Sequence, residues 1–175
     1  VTSVPGAAAC ITALTASGQA TRRFAFEAFL PKDKKYRVHV LEEISKESRT
    51  IVIYESPHHL KATLKDLGNV LEYERPLTVT RELTKLHEEK VRTTIGEAIA
   101  YYETHEPKGE YVLVIAGKSK EAQIEEARRK WDGVSLNEHM QIYLDKGMDK
   151  KDAMKAVAKN LGISKREVYG KLLEN

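Results

Sequence analysis

Apolar residues recur in this chain in short blocks whose period switches between two and about 3.6, the signature of strands alternating with amphipathic helices. Val1-Thr2-Ser3-Val4 reads as the end of a strand that Pro5-Gly6 turns into a helix, Ala7 to Ser17, built almost wholly from small residues and closed by Gly18. So smooth a helix suits close packing on a sheet, one expected to lie outside the present chain. Phe24-Ala25-Phe26-Glu27-Ala28-Phe29 alternates as a strand and ends at Pro31. Asp33 then caps a helix running to Glu47 that carries Tyr36, Val40, Leu41 and Ile44 inward. Thr50-Ile51-Val52-Ile53-Tyr54-Glu55 is a buried strand, and Ser56-Pro57 stops it and opens a helix, Ser as N-cap and Pro at the first helical position. Leu60, Leu64, Leu67 and Leu71 follow at helical spacing, and Pro76 to Thr80 forms the next strand, with a shorter one over Lys90 to Thr93. Thr94-Ile95-Gly96-Glu97 has capping-box spacing before a helix to about Thr104, and Tyr111 to Gly117 is a second buried strand. The alternation predicts an α/β fold, a mixed-sheet layer sandwich, ending at Gly117.

Beyond it the period is helical only. Glu121 to Trp131 reads as a charged connecting helix within a linker of residues 118–133, and Asp132-Gly133 as a break. Ser135-Leu136-Asn137-Glu138 and Ser164-Lys165-Arg166-Glu167 both have capping-box spacing. The last two helices meet at Leu161-Gly162-Ile163-Ser164, with Ala158 four residues before the glycine and Val168 six after it. Those are helix-turn-helix packing positions, so residues 134–175 are expected to be a helix-turn-helix module around Leu144, Val157, Leu161, Ile163, Val168 and Leu172.

Composition narrows the class. A chain of 175 residues, 41% hydrophobic and 31% charged, can bury one good core and a small appended module. No apolar run approaches the roughly 20 residues of a membrane helix, and no signal peptide is evident, so the expected compartment is cytoplasmic. The single cysteine, Cys10, allows no internal disulfide and sits in the Ala-rich helix as a small hydrophobe. The net charge of +3 is confined to the stretch from Lys118 onward, since acids and bases balance before it. A basic tail is most often a solvated face, and it is also the footprint of a nucleic-acid contact.

In open α/β sheets ligands lie beyond the carboxyl ends of strands, which singles out Tyr54, Glu55, His58 and His59, and with them Arg81, Glu82 and Lys85 after the following strand. The plain alternatives are two exposed imidazoles at a helix start and a surface ion-pair cluster. His58 and His59 are adjacent and diverge, a poor metal pair without a third ligand, so no metal is expected. There is no Cys-x-x-Cys, Walker loop, Gly-x-Gly-x-x-Gly or Gly-x-Ser-x-Gly. Lys165 and Arg166 open the final helix, where backbone N–H groups and the dipole favour an anion, so a phosphate is expected there.

Pro5-Gly6 before an Ala-rich helix, Phe29-Leu30-Pro31, Tyr54-Glu55-Ser56-Pro57-His58, Arg81-Glu82-Leu83-Thr84-Lys85 with His87-Glu88, and Lys108-Gly109-Glu110 together resemble the tetrapyrrole methylase family. The resemblance is to those members that use S-adenosyl-L-methionine to methylate the ribose 2′-hydroxyl of a cytidine in small-subunit (16S) ribosomal RNA, and it spans the whole chain. Two positions depart from it: Ala28 stands where the family has Gly, and His59 where it has Arg. The resemblance implies a preceding domain with a Gly-rich cofactor loop, residues 1–18 being its last remnant and residues 19–117 the C-terminal domain of the fold. It implies that the cofactor lies between the domains, held here by Pro5, Gly6 and the strand ends Tyr54-Glu55 and Ala116-Gly117. It implies an in-line transfer dominated by positioning and helped by a base, for which Glu55, His58, Glu82 and Lys85 have the chemistry. Arg37, Arg81 and Lys85 would meet RNA phosphates, and a homodimer is the expected assembly. The competing expectations are a tetrapyrrole or diphthine methyltransferase relative, and a non-catalytic dimerisation or nucleic-acid-binding fragment.

Overall fold

Five strands form from the apolar runs between Phe24 and Ile115, and their directions decide which residues share an end of the sheet. The structure, a computed structural model, describes Thr2 and residues 6–173. Pro5, and the strand end expected over Val1–Val4 except Thr2, lie outside the described residues. The chain divides into two compact units, Val1–Lys118 and Ser119–Asn175.

In the first unit the strands are β1 (Phe24–Phe29), β2 (Thr50–Glu55), β3 (Pro76–Arg81), β4 (Glu89–Thr94) and β5 (Tyr111–Ile115), in the order β1-β2-β5-β3-β4. Only β1 and β2 are parallel neighbours; β5 runs antiparallel between β2 and β3, and β4 is antiparallel to β3. Side chains alternate across the pleat. Ile51, Ile53, Leu77, Val79, Leu113 and Ile115 therefore face one side, where α2 (Lys34–Lys46), α3 (Pro57–Val70) and α4 (Ile95–Thr104) cover them with Val40, Leu41, Ile44, Leu60, Leu64, Leu67 and Ile95. This face is the main core.

The other face holds Val52, Val112 and Val114 under Ala13 and Leu14 of α1 (Ala9–Ser17). The expectation that α1 packs on a sheet outside the chain is thus corrected. Its small side chains fit over the flat valine centre of this sheet, and Thr78 Oγ1 donates to the Ser17 carbonyl at 3.0 Å. Arg92 of β4 also donates to that carbonyl from Nε at 2.9 Å, closing the helix C-terminus with a cation. Tyr36 was expected inward and instead is exposed, because it lies in the first turn of α2, ahead of the buried Val40-Leu41-Ile44 stripe.

The second unit contains α5 (Lys120–Arg129), α6 (Leu136–Asp145), α7 (Lys150–Leu161) and α8 (Lys165–Leu173). Both expected capping boxes form, Ser135 with Glu138 and Ser164 with Glu167. Met140, Ala153, Met154, Val157, Ala158 and Val168 are its buried core. Gly162 takes a left-handed conformation (φ 65°) between α7 and α8, and a Cβ there would lie 2.2 Å from Ile124 Cγ2. The helix read as a connector therefore packs on the turn, and only glycine admits it.

Candidate functional site

Strand direction gathers four of the segments singled out in the sequence at one end of the sheet. Phe29 pairs with Tyr54, and one row runs from Glu55 through Tyr111 and Arg81 to Glu89. The carboxyl ends of β1, β2 and β3 thus meet the amino end of β5 and its preceding Lys108-Gly109-Glu110 turn. Ala116-Gly117 falls at the opposite end, since Ile115 pairs with Ile51 and Leu77. There Ala116 N–H donates to Pro76 O at 2.9 Å, and a Cβ on Gly117 would sit 2.2 Å from the Ser48 carbonyl oxygen. The expectation that Tyr54-Glu55 and Ala116-Gly117 close over one adenine is corrected: β5 is antiparallel to β2, which separates them by the length of the strand.

Glu55 and Tyr54 are also parted, by the pleat. Glu55 faces the helical side, 5% exposed, with Oε1 accepting from Ser56 N–H at 2.7 Å and Oε2 from Thr63 Oγ1 at 2.5 Å. Thr63 in turn accepts from Arg37 Nη2 at 2.9 Å, while Arg37 Nε donates to Asp66 Oδ2 at 2.7 Å. This chain walls a cleft of about 680 Å³ lined by Phe29, Pro31, Arg37, Glu55, His59 and Asp66 among others. Arg37, expected to hold a phosphate, is spent bracing α2 to α3. Thr63 and Asp66 were missed from sequence, although their spacing from Pro57 puts them on the α3 face toward α2.

Tyr54 faces α1. Its hydroxyl accepts from Cys10 N–H at 2.9 Å, and burial, then the Cys10 side chain, pushes the phenol above its ordinary pKa although the bond from the Cys10 amide opposes the rise. Its ring meets the edges of Phe26 and Phe29 at centroid distances of 5.0 and 5.8 Å. Gly6 precedes this helix in open space, with nothing within 4 Å of where a Cβ would stand.

Glu82 and Lys85 form the ion-pair cluster that was the plain alternative. Glu82 Oε1 accepts from Glu110 N–H at 2.9 Å and Lys85 Nζ at 3.2 Å, and Lys85 Nζ also donates to Glu110 Oε2 at 2.8 Å. The Glu110 amide, then Lys85, holds the Glu82 carboxyl below its ordinary pKa; Glu110, then Glu82, holds Lys85 above its own. Gly109 (φ 81°) is required beneath them, because a Cβ would lie 2.6 Å from the Glu82 carboxylate. Arg81 donates from Nη2 to Glu89 at 2.8 Å. Its Nε and Ser56 Oγ are buried without a partner among the described residues, and both lie at this strand end. Ser56 is the N-cap of α3 by its backbone alone, its side chain making no capping bond.

His58 and His59 are exposed at the start of α3, and neither imidazole makes a hydrogen bond to a described residue. In the second unit, Arg166 is exposed and Lys165 partly so, but the Glu167 carboxylate already accepts from Ser164 N–H at 2.7 Å at that helix start. Among the described residues no group of three or more His, Cys, Asp or Glu side chains could hold a metal ion, and no helix is long and apolar enough to cross a membrane.

The sequence profile of the tetrapyrrole (corrin/porphyrin) methylases matches residues 1–99. A protein of Synechocystis sp. named ribosomal RNA small subunit methyltransferase I is 42% identical over 98% of this chain and 60% of its own length. Its namesake from Bacillus subtilis is 40% identical over 97% of this chain and 57% of its own length. The chain therefore spans somewhat less than two thirds of these curated relatives. Among solved structures, a cobalamin biosynthetic enzyme, cobalt precorrin-4 methyltransferase CbiF, superposes with a TM-score of 0.50 at 20% identity, over 65% of this chain and 50% of that one. The methyltransferase CobJ does so with a TM-score of 0.51 at 17% identity, over 65% and 49%. At those identities the likeness is one of fold.

Proposed function

This chain belongs to the tetrapyrrole methylase family, and from that membership we propose that it is part of an S-adenosyl-L-methionine-dependent methyltransferase acting on a cytidine ribose 2′-hydroxyl of 16S ribosomal RNA. Small-subunit ribosomal RNA follows the name shared by its relatives, and the cytidine ribose 2′-hydroxyl follows the resemblance of its motifs. The observation that carries the reading is the convergence of Phe29-Pro31, Tyr54-His58, Arg81-Lys85 and Lys108-Glu110 on one sheet end, where the buried Ser56 Oγ and Arg81 Nε have no partner among the described residues. Unpartnered buried polar atoms cost stability, so they are retained where a ligand supplies the bond.

The residues present fit the adenosyl group. It needs an apolar wall with few polar groups, which the Tyr54 ring, Leu83 and the open backbone at Gly6 provide. When bound, S-adenosyl-L-methionine supplies a methyl already activated by its sulfonium. Protein groups then have to orient the ribose and take its proton. Glu55 and Glu82 have their carboxylates committed to Ser56, Thr63, Glu110 and Lys85. His58 stands uncommitted at the same end and is the base in this reading. Arg81 and Lys85 shape the loop beside it rather than reach out for phosphate. Dimerisation and a cytoplasmic location complete the proposal.

The test is methyl transfer from labelled S-adenosyl-L-methionine to small ribosomal subunits by the full-length protein. His58→Ala should lower kcat about a hundredfold or more with Tm unchanged, whereas Glu82→Ala should lower activity and Tm together. Full activity of His58→Ala would remove the base assignment, and transfer to a tetrapyrrole in place of RNA would remove the substrate.

A further inference from the structure

We propose that the outer edge of the sheet, β1 with its flanking turns, is a track for single-stranded RNA on which exposed phenylalanine rings stack bases while the cations at either end hold phosphates. The inference rests on the ribosomal-RNA reading above and adds to it the surface that receives the strand.

The chain has three phenylalanines, and all lie in β1. Phe24 and Phe26 pair with Thr50 and Val52 and so face the α1 side. Strict alternation would turn Phe29 to the opposite side. The register instead slips between Phe26 and Ala28, so that Ala28 pairs with Ile53 and Phe29 with Tyr54, which returns Phe29 to the face of the other two. Ala28 adopts φ 51° in making this bulge. A ring placed there for the core would be buried, yet Phe29 is 62% and Phe26 46% exposed. Both stand edge-on to Tyr54, which fixes them as a platform.

Charge names the occupant. Arg22 and Arg23 precede the strand and Lys32, Lys34 and Lys35 follow it; all five are exposed, and their side chains make no ion pair or hydrogen bond to any described residue. Elsewhere in this unit Arg37, Arg49, Lys61, Arg75, Arg81, Lys85 and Lys90 are held by carboxylates, while Lys46 and Lys65 are exposed on α2 and α3 without an ion pair to a described residue, so the β1 ends are distinguished by gathering five such cations beside exposed rings. Of the nearby acids, Glu27 turns toward α2, where burial and then Glu43 and Glu47 raise its pKa, and Asp33 caps α2. A second copy of the chain suits this edge poorly. Antiparallel pairing of two such strands would set the arginine end of one against the lysine end of the other. A single nucleic-acid strand offers what the edge lacks, anions along a backbone and flat faces between them. A duplex would keep its bases stacked away from the rings.

The experiment is binding of a single-stranded RNA oligonucleotide carrying 2-aminopurine, and of its duplex, to the 175-residue chain across a salt series. Phe26→Leu with Phe29→Leu keeps an apolar edge but removes the stacking face. It should weaken single-strand binding about tenfold or more and abolish 2-aminopurine quenching, with the salt slope kept. Replacing the five cations by Gln should flatten the slope by about three. Should the leucine pair lower Tm, the slope of the glutamine variant decides alone. Equal affinity, quenching and slope in all three proteins would overturn the track. So would sedimentation showing a dimer that the leucine pair dissociates, which would make the edge a contact between copies. Either outcome leaves the methyl-transfer test untouched, so failure of the track and failure of the proposed activity are distinguishable.

Discussion

Ala28 shows how a single backbone angle can matter more than a contact. At φ 51° an L-residue with a Cβ is strained by about 1–2 kcal/mol, and glycine is not. Ala28→Gly gives part of this back as chain entropy, leaving an expected gain of roughly 0.5–1 kcal/mol, measured as a shift in the urea midpoint with unchanged slope. A loss of stability would mean that the bulge is absent in solution. The resemblance marked the position, because it calls for Gly there, but nothing in the alternation of β1 announced a slip of register. Glu82 makes the complementary point. Its residue type and neighbours suit a base and an ion pair equally, and only the Gly109-Glu110 turn, 27 and 28 residues further along the chain, commits it to the second. Tyr54 and Glu55, by contrast, were separable in advance: consecutive strand residues point to opposite faces.

The helices were the most legible elements, because caps and apolar spacing are local. Asp33, Thr94, Ser135 and Ser164 each accept the capping bond that their spacing foretold. What spacing could not show was partnership between helices, and the second unit depends on it. His139 of α6 is 1% exposed, stacked on Trp131 at 3.5 Å between centroids, with Asn160 of α7 at 3.2 Å from its Nε2. Burial lowers its pKa from the ordinary 6.5, so the folded unit holds it neutral. For a base with a depressed folded pKa, stability is fully present above the unfolded value and falls as the pH drops below it, because the unfolded chain then binds the extra proton. Acidification from about pH 6.5 downward should therefore loosen α5–α8. Trp131 is the chain's sole tryptophan, so its fluorescence reports the change directly. His139→Gln should flatten this dependence even where it lowers stability at neutral pH; an unaltered profile would assign the effect to other groups.

The molecule as a whole turns on one fact that alternation of strands and helices leaves open, the direction of the last strand. A parallel β5 would have carried Ala116-Gly117 to the end where Tyr54 stands, as the sequence reading expected. Antiparallel pairing carries it to the other, against Ser48 and Pro76. The two glycines named for the cofactor thereby separate into a structural one and a candidate one. Gly117→Ala puts a Cβ 2.2 Å from the Ser48 carbonyl oxygen, on backbone that cannot rotate away, and should cost about 1–3 kcal/mol. Its Tm should fall by several degrees while the Kd for S-adenosyl-L-methionine, measured by calorimetry on the full-length protein below that Tm, stays as it was. Gly6→Ala meets nothing within 4 Å, so Tm should hold; if the adenosyl group approaches the backbone there, affinity should drop. The two substitutions add the same methyl group and differ only in the end of the sheet to which they belong. The reverse result, lost affinity with Gly117→Ala at constant Tm, would move the cofactor to the Ala116 end and take His58 out of reach of the transferred methyl.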